Sequence, residues 1–193
     1  MSTALKQMTV DEFLSWAEGR DGRWELHDGV PILMHGGAPA LMAPERAAHV
    51  RTKFRAASAL QEAVRVVHLP CEVFSDGISV KVDAQTTFEP DAMMVCGQQV
   101  ADDATVVSDP VIVVEVLSPN TAAIDHGRKF SGYFSLQSVE HYLILDPERR
   151  VVIHHKRGHA DAIETRVLSD GFAKLDPPGL TVAVDAFFSA PQT

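Results

Sequence analysis

Glu115 is the only charged residue in the apolar run Val111-Ile112-Val113-Val114-Glu115-Val116-Leu117. An ionised carboxylate buried alone is very costly, so it must be paired, protonated or metal-bound, unless the strand ends there and it meets solvent or a nearby lysine. Asp91 follows Pro90 at the start of a second apolar run, Ala92 to Cys96. Proline cannot donate to a sheet ladder and marks a strand boundary. Asp91 is therefore either an ordinary turn residue or a carboxylate that converges on Glu115 from a neighbouring strand. Asp125, Lys129 and Tyr133 recur at i, i+4 and i+8 and share one helix face. That face is either a surface ion pair or, if the helix folds back over the sheet, a way to bring Lys129 above Glu115. Glu25 lies between Trp24 and Leu26, and a strand's period of two turns it away from both, toward solvent or toward the same site.

Two carboxylates at strand ends plus a lysine form a set suited to phosphodiester cleavage. Mg²⁺ prefers one or two carboxylates, completed by waters and substrate phosphate oxygens. Such an ion activates water and offsets charge on the phosphate, and a nearby lysine orients the water or neutralises that charge.

These residues need elements to hold them. Thr9-Val10-Asp11-Glu12 fits a capping box, followed by Val10, Phe13, Leu14 and Ala17 at helical spacing, with Gly19 as the stop. Residues Met1 to Gln7 read as a loose end. Trp24 to Met34 reads as two strands around the hairpin signal Asp28-Gly29. His35 to Ala43 is a loop, and Pro44 opens a long helix to about Val64, with Val50, Phe54, Ala57, Leu60 and Val64 as its buried stripe. Strands are expected over Val66–Phe74, Ile78–Val82, Asp91–Cys96 and Val111–Leu117, the last a central strand covered on both faces. A helix follows over about Asn120–Leu136. Further strands are expected over His141–Leu145, Arg150–His155 and Ile163–Leu168, and Leu180–Phe188 forms a last strand or an ordered apolar end. Two or three helices against six or more strands make a mixed α/β (α+β) domain.

Composition narrows the function. The chain has 193 residues, 46% hydrophobic and 22% charged, which suits one globular domain over 1–193. No apolar run reaches the length of a membrane span, and no basic-then-apolar leader opens the chain, so no membrane partner is expected. Two cysteines, Cys71 and Cys96, are too few for a disulfide framework, so a reducing cytoplasm is the expected location. A net charge of −9 excludes a basic DNA-coating protein, while leaving room for a local basic site or a metal-bridged phosphate.

Several motifs stand in order along the chain. They are Arg23-Trp24-Glu25-Leu26-His27-Asp28-Gly29, then Pro90-Asp91, then Asp109-Pro110-Val111 through Glu115-Val116-Leu117-Ser118-Pro119-Asn120-Thr121. Asp125-(x)3-Lys129-(x)3-Tyr133 and Val139-Glu140-His141-Tyr142 through Asp146-Pro147 complete the series. From about Met8 to Phe188 the chain resembles the Uma2 family of restriction-endonuclease-like proteins, in the PD-(D/E)XK nuclease superfamily. The resemblance implies a restriction-endonuclease-like core, a central mixed sheet flanked by helices. It implies that Asp91 and Glu115 bind Mg²⁺ or Mn²⁺ and that Glu25 adds a metal or water contact. The superfamily pattern expects a lysine two residues after the second acid, where this chain has Leu117. The resemblance makes Lys129, on the following helix, its counterpart, with Asp125 and Tyr133 orienting it. The substrate it implies is DNA, cut by a metal-dependent endonuclease; double-strand cutters often act as dimers, so a homodimer is the expected assembly.

Other constellations carry less. His154 and His155 face opposite sides of a strand and do not easily chelate one ion together, and His155 with His159 needs a favourable turn at Gly158, so the histidines His141, His154, His155 and His159 make a weak metal set. His49 opens the long helix, either reaching the site mouth or lying on the surface. Ser118 reads as a turn or cap, since no nucleophile elbow surrounds it. Gly36-Gly37 lacks the spacing and lysine of a phosphate loop. Arg46, Arg51, Lys53 and Arg55 read as a solvated helix face rather than a phosphate contact. The rivals to an endonuclease are a catalytically silent nuclease fold that binds DNA or protein, and a hydrolase of small phosphate esters. A deep closed pocket favours the small substrate, and an open groove favours DNA.

Overall fold

The computed structural model describes residues 7–35, 46–97, 99–117 and 125–188. Helix α1 (Val10–Ala17) opens on the expected capping box, with the Thr9 hydroxyl accepting from Glu12 N and the Glu12 carboxylate accepting from Thr9 N. The hairpin β1 (Arg23–His27) and β2 (Val30–His35) turns at Asp28-Gly29, where both residues have positive φ. Gly29 has a second reason to be glycine, because a Cβ there would meet the Gln7 Cβ at 2.6 Å.

Helix α2 spans Ala47–Val67, and the strands β3 (Cys71–Ser75), β4 (Ser79–Lys81), β5 (Thr87–Phe88) and β6 (Ala92–Cys96) follow. Next come β7 (Val106–Val107), β8 (Pro110–Val116), α3 (Asp125–Ser135), β9 (His141–Asp146) and β10 (Val151–Arg157). The last described elements are β11 (Ile163–Leu168), the hairpin β12 (Phe172–Leu175) and β13 (Leu180–Ala183), and the short helix α4 (Val184–Phe188). The fold is mixed α+β.

The main sheet has the order β11-β10-β9-β8-β6-β3. Within it only β8 and β9 pair in parallel, and the segment between them carries α3, as a parallel connection requires. Side chains alternate across β8. Ile112, Val114 and Val116 join α2, the β12–β13 hairpin and α4 in one core, while Val113 joins Tyr133, Tyr142 and Phe88 in the core on the opposite side. Glu115 shares the parity of Val113 and so faces α3. A second sheet, β2-β1-β5-β4-β7, packs on that side through Val80, Phe88 and Val107.

Three expectations need correction. The long helix runs three residues past Val64 and ends at His68, whose left-handed backbone stops it, so the next strand starts at Cys71 rather than Val66. Its buried face is His49, Thr52, Lys53, Ala56, Leu60 and Val64, whereas Val50 and Phe54 are 49% and 72% exposed. The expected stripe and the real one coincide at Leu60 and Val64. They diverge by one residue further back, because polar side chains occupy the buried N-terminal half. Lys53 is thus no part of a solvated face. The third correction concerns cysteine: Cys71 and Cys96 face each other across β3 and β6 and are disulfide-bonded. One cross-strand bond needs only two cysteines, so their number does not decide the compartment.

The segment Leu180–Phe188 is both a strand and an ordered apolar end. β13 gives way to α4 at Val184, and Phe187 and Phe188 are buried against the α2 side of the main sheet. No described helix is long and apolar enough to cross a membrane.

A buried histidine pair joins the sheet to the C-terminal hairpin. His141 Nε2 donates to Pro177 O at 2.8 Å, leaving Nδ1 to accept from His154 Nε2 at 2.9 Å. Burial pushes both imidazoles down to about 4, with their mutual contact and Lys156 acting the same way on His154. The folded values lie below the ordinary one, so the unfolded chain takes up protons first and stability falls as pH drops from about 6.5 toward 4. Between pH 8 and pH 5 each histidine is expected to cost about 2 kcal/mol. Urea unfolding of the wild type and of His154→Gln across that range checks this. The variant, which keeps a donor for His141, should show a shallower loss, and equal slopes would remove the pair from the account.

Candidate active site

The site grows from a register. Ala92 of β6 pairs with Val114 of β8, and the next step turns Asp91 toward Glu115. Asp91 N donates to Val114 O at 3.0 Å, and Asp91 Oδ2 accepts from Val116 N at 2.7 Å, so the backbone of β8 holds the carboxylate. Pro90 can stand just outside the strand because it owes the ladder no donor.

From α3, Lys129 reaches over the sheet. Its Nζ lies 2.9 Å from Glu115 Oε1 and 2.9 Å from Glu25 Oε1, and it is 3% exposed. Tyr133, one turn on, donates its hydroxyl to the same Glu115 Oε1 at 2.9 Å. Close docking of α3 makes this reach possible: Gly132 leaves no room for a Cβ, which would stand 2.5 Å from the Phe88 ring. Glu25 enters from β1. Its Oε1 also accepts from Glu89 N at 3.0 Å, and its Oε2 from His27 Nε2 at 2.9 Å.

On the other side of Asp91 stands Lys53, with Nζ 2.9 Å from Asp91 Oδ1 and 3.5 Å from Asp76 Oδ1. Arg23 adds contacts to Glu89 at 3.1 Å, Asp76 at 3.3 Å and Asp91 at 3.6 Å. His49 donates from Nδ1 to Leu117 O at 3.3 Å and ties α2 to the end of β8. A cavity of about 610 Å³ opens beside this half of the cluster, lined by Arg23, Lys53, Asp76 and Glu89 with Phe13 and Trp24.

The electrostatics divide the carboxylates. Burial pushes Glu25 up, but the His27 hydrogen bond, the Lys129 charge and Glu89 N–H outweigh it and hold the group below the usual range. Burial also opposes ionisation of Asp91, and the Lys53 and Arg23 charges with the Val116 N–H hold it low as well. Glu115 goes the other way. Burial pushes it up to about 7, Lys129 only partly offsets this, and the negative charges of Asp91 and Glu25 add to it. Burial beside Glu115 also drives the Tyr133 phenol far up, so it stays a hydrogen-bond donor.

Asp91, Glu115, Lys129, Glu25 and Tyr133 are thus brought into one cluster, whereas the described contact of His49 is with the Leu117 carbonyl at the end of β8. The side chain of Asp125, and the segment Ser118-Pro119-Asn120-Thr121, lie outside the described residues. Lys53, Arg23 and His27 join the cluster although the sequence does not single them out for it. A signal exists for Lys53: its spacing to Ala56, Leu60 and Val64 puts it on the same helix stripe. His155 instead hydrogen-bonds Thr165 at 2.7 Å, on the strand face opposite His154.

Residues 10–185 match the family Uma2, described as "Putative restriction endonuclease". The chain belongs to the Uma2 family. A relative in Synechocystis sp. (strain ATCC 27184 / PCC 6803 / Kazusa), the "Uncharacterized protein slr1290", is 25% identical over 192 residues, covering 97% of this chain and 94% of the relative. Among solved structures, a "putative nuclease belonging to DUF820" from Anabaena variabilis ATCC 29413 superimposes with a TM-score of 0.70. It shares 15% identity and covers 94% of this chain and 97% of its own, a likeness of fold. This Uma2 chain has the central mixed sheet and flanking helices of that fold.

A divalent cation fits the donor set. Among the described residues, no three His, Cys, Asp or Glu side chains form a ready cage. Mg²⁺ does not need one, because one or two carboxylates with water and phosphate oxygens suffice. Asp91 and Glu115 supply two carboxylates on adjacent strands, and both described hydrogen bonds to Glu115 fall on Oε1. Five carboxylates (Glu25, Asp76, Glu89, Asp91, Glu115) meet three cations (Arg23, Lys53, Lys129), so acidic groups outnumber basic ones around the site.

Proposed function

We propose that this Uma2 protein is a Mg²⁺- or Mn²⁺-dependent DNA endonuclease. The observation that carries the reading is the buried Glu115–Lys129–Glu25 bridge beside Asp91, at the ends of adjacent strands. Family membership, with its restriction-endonuclease description, supports the same substrate class.

In this reading Asp91 and Glu115 hold the divalent ion, which when bound activates water and offsets charge on the phosphate. Lys129 stands where it can orient the attacking water and stabilise the phosphate charge that develops. Glu25 has both oxygens engaged by His27, Glu89 N and Lys129, so it serves to fix the lysine rather than to bind the ion. Tyr133 fixes the Glu115 carboxylate.

The test is Mn²⁺ titration by calorimetry on wild type, Asp91→Ala and Glu115→Ala, paired with nicking of supercoiled plasmid in Mg²⁺ or Mn²⁺. Binding by wild type alone, with nicking abolished by chelator, is the expected result. No Mn²⁺ binding by wild type, even with a short duplex present, would leave a nuclease fold that binds without cutting. Nicking that persists in excess chelator would overturn the metal mechanism.

A further inference from the structure

Lys53 engages the one Asp91 oxygen that the backbone leaves open. Oδ2 is taken by Val116 N, and the Lys53 ammonium sits 2.9 Å from Oδ1 with Arg23 behind it at 3.6 Å. In the nuclease reading, on which this inference rests, Oδ1 is the oxygen Asp91 offers a divalent ion. Lys53 also lines the cavity of about 610 Å³, together with Arg23. We propose that Lys53 is a positioning residue that couples metal binding to substrate binding, by resting on Asp91 Oδ1 and turning to a substrate phosphate when one enters the cavity.

Charge at short range sets the competition at Oδ1. A positive group against a carboxylate oxygen repels a second cation drawn to that oxygen, and partial burial strengthens the repulsion. Lys53 is only 6% exposed, so water screens it poorly. A phosphate beside Arg23 and Lys53 supplies a new partner for the ammonium, which removes the competition at Oδ1. Asp76, 3.5 Å from Nζ at the solvent edge, gives the ammonium a second acceptor on the cavity side. The coupling is reciprocal: whatever phosphate does for metal affinity, metal does for phosphate affinity.

The experiment is calorimetric titration of Mn²⁺ into wild type, Lys53→Gln and Lys53→Arg, each without and with saturating thymidine 3′,5′-bisphosphate. Glutamine keeps a donor for Oδ1 without the charge, and Arg23 remains, so the fold should stand. Wild type should bind Mn²⁺ about tenfold tighter with the bisphosphate present. Lys53→Gln should bind Mn²⁺ alone about tenfold tighter than wild type and gain less from the bisphosphate than wild type does, keeping only the part due to phosphate on the metal itself. Lys53→Arg, which keeps the charge, should retain the coupling. Weaker Mn²⁺ binding by Lys53→Gln alone, or coupling in it as large as in wild type, overturns the inference and leaves the metal site standing. Loss of coupling in Lys53→Arg overturns it as well. Absence of Mn²⁺ binding by wild type under both conditions instead overturns the nuclease reading itself, and this inference with it.

Discussion

Glu115→Gln is expected to lower DNA cleavage by about 10³-fold while the protein stays folded. Glutamine keeps the shape and an oxygen that accepts from Lys129 and Tyr133, the two groups that hold Glu115 Oε1. What it loses is the negative charge, half of the proposed ligand pair. Because the carboxyl group is buried and sits near neutrality, the neutral amide should cost little stability at pH 7. The variant should therefore unfold close to wild type in urea but fail to bind Mn²⁺ in calorimetry. Full activity in Glu115→Gln would refute the role of this carboxylate as a metal ligand. The same environment carries a pH dependence. Ionised Glu115 is the form that binds a cation, so at subsaturating Mn²⁺ binding should strengthen as pH rises toward and through about 7.

The parts of this site differ in how far the sequence shows them. Glu115 is conspicuous because β8 is apolar on both faces, which leaves a lone charge only a partner, a proton, a metal or the strand's end. Asp91 is visible through Pro90, whose missing donor marks the start of β6. Lys129 and Tyr133 follow from helical spacing once a helix is placed after β8. Glu25 is harder, since alternation within β1 is equally consistent with a solvated residue. The strand is covered on that face by Phe88 and α3, and Glu25 is 1% exposed. Lys53 reads as surface because apolar Val50 and Phe54 offer a competing helical stripe in the same helix. The usual pattern is inverted on α2, which buries lysine and histidine on its inner face and leaves phenylalanine outside. The strands β5 and β7 have two residues each, too short for any periodicity to register. The disulfide is illegible for another reason, since only the β3–β6 register sets Cys71 opposite Cys96.

Lys129→Met is expected to have the largest effect on stability, about 3–5 kcal/mol, because it removes one partner from a buried ionic bridge. Lys129 Nζ lies 2.9 Å from both Glu25 and Glu115, and all three residues are buried. Without the ammonium, two carboxylates remain close together in a poorly screened interior. Burial and mutual repulsion then raise their folded pKa values above those of the unfolded chain. A carboxylate raised in the folded state favours folding below that raised value and loses the advantage as pH rises through it. The penalty should thus be greatest near pH 8 and shrink toward pH 5, as protonation replaces the missing cation. The histidine pair weakens both proteins on acidification, so the difference between wild type and variant isolates the bridge. Urea unfolding at pH 8, 6.5 and 5 measures that difference. Cleavage should be lost at every pH, including where stability recovers, because methionine cannot orient water or offset charge on a phosphate. A difference below about 1 kcal/mol that does not change with pH would match an exposed ion pair and remove Lys129 from the bridge. Activity recovered on acidification along with stability would show that the lysine serves the fold alone.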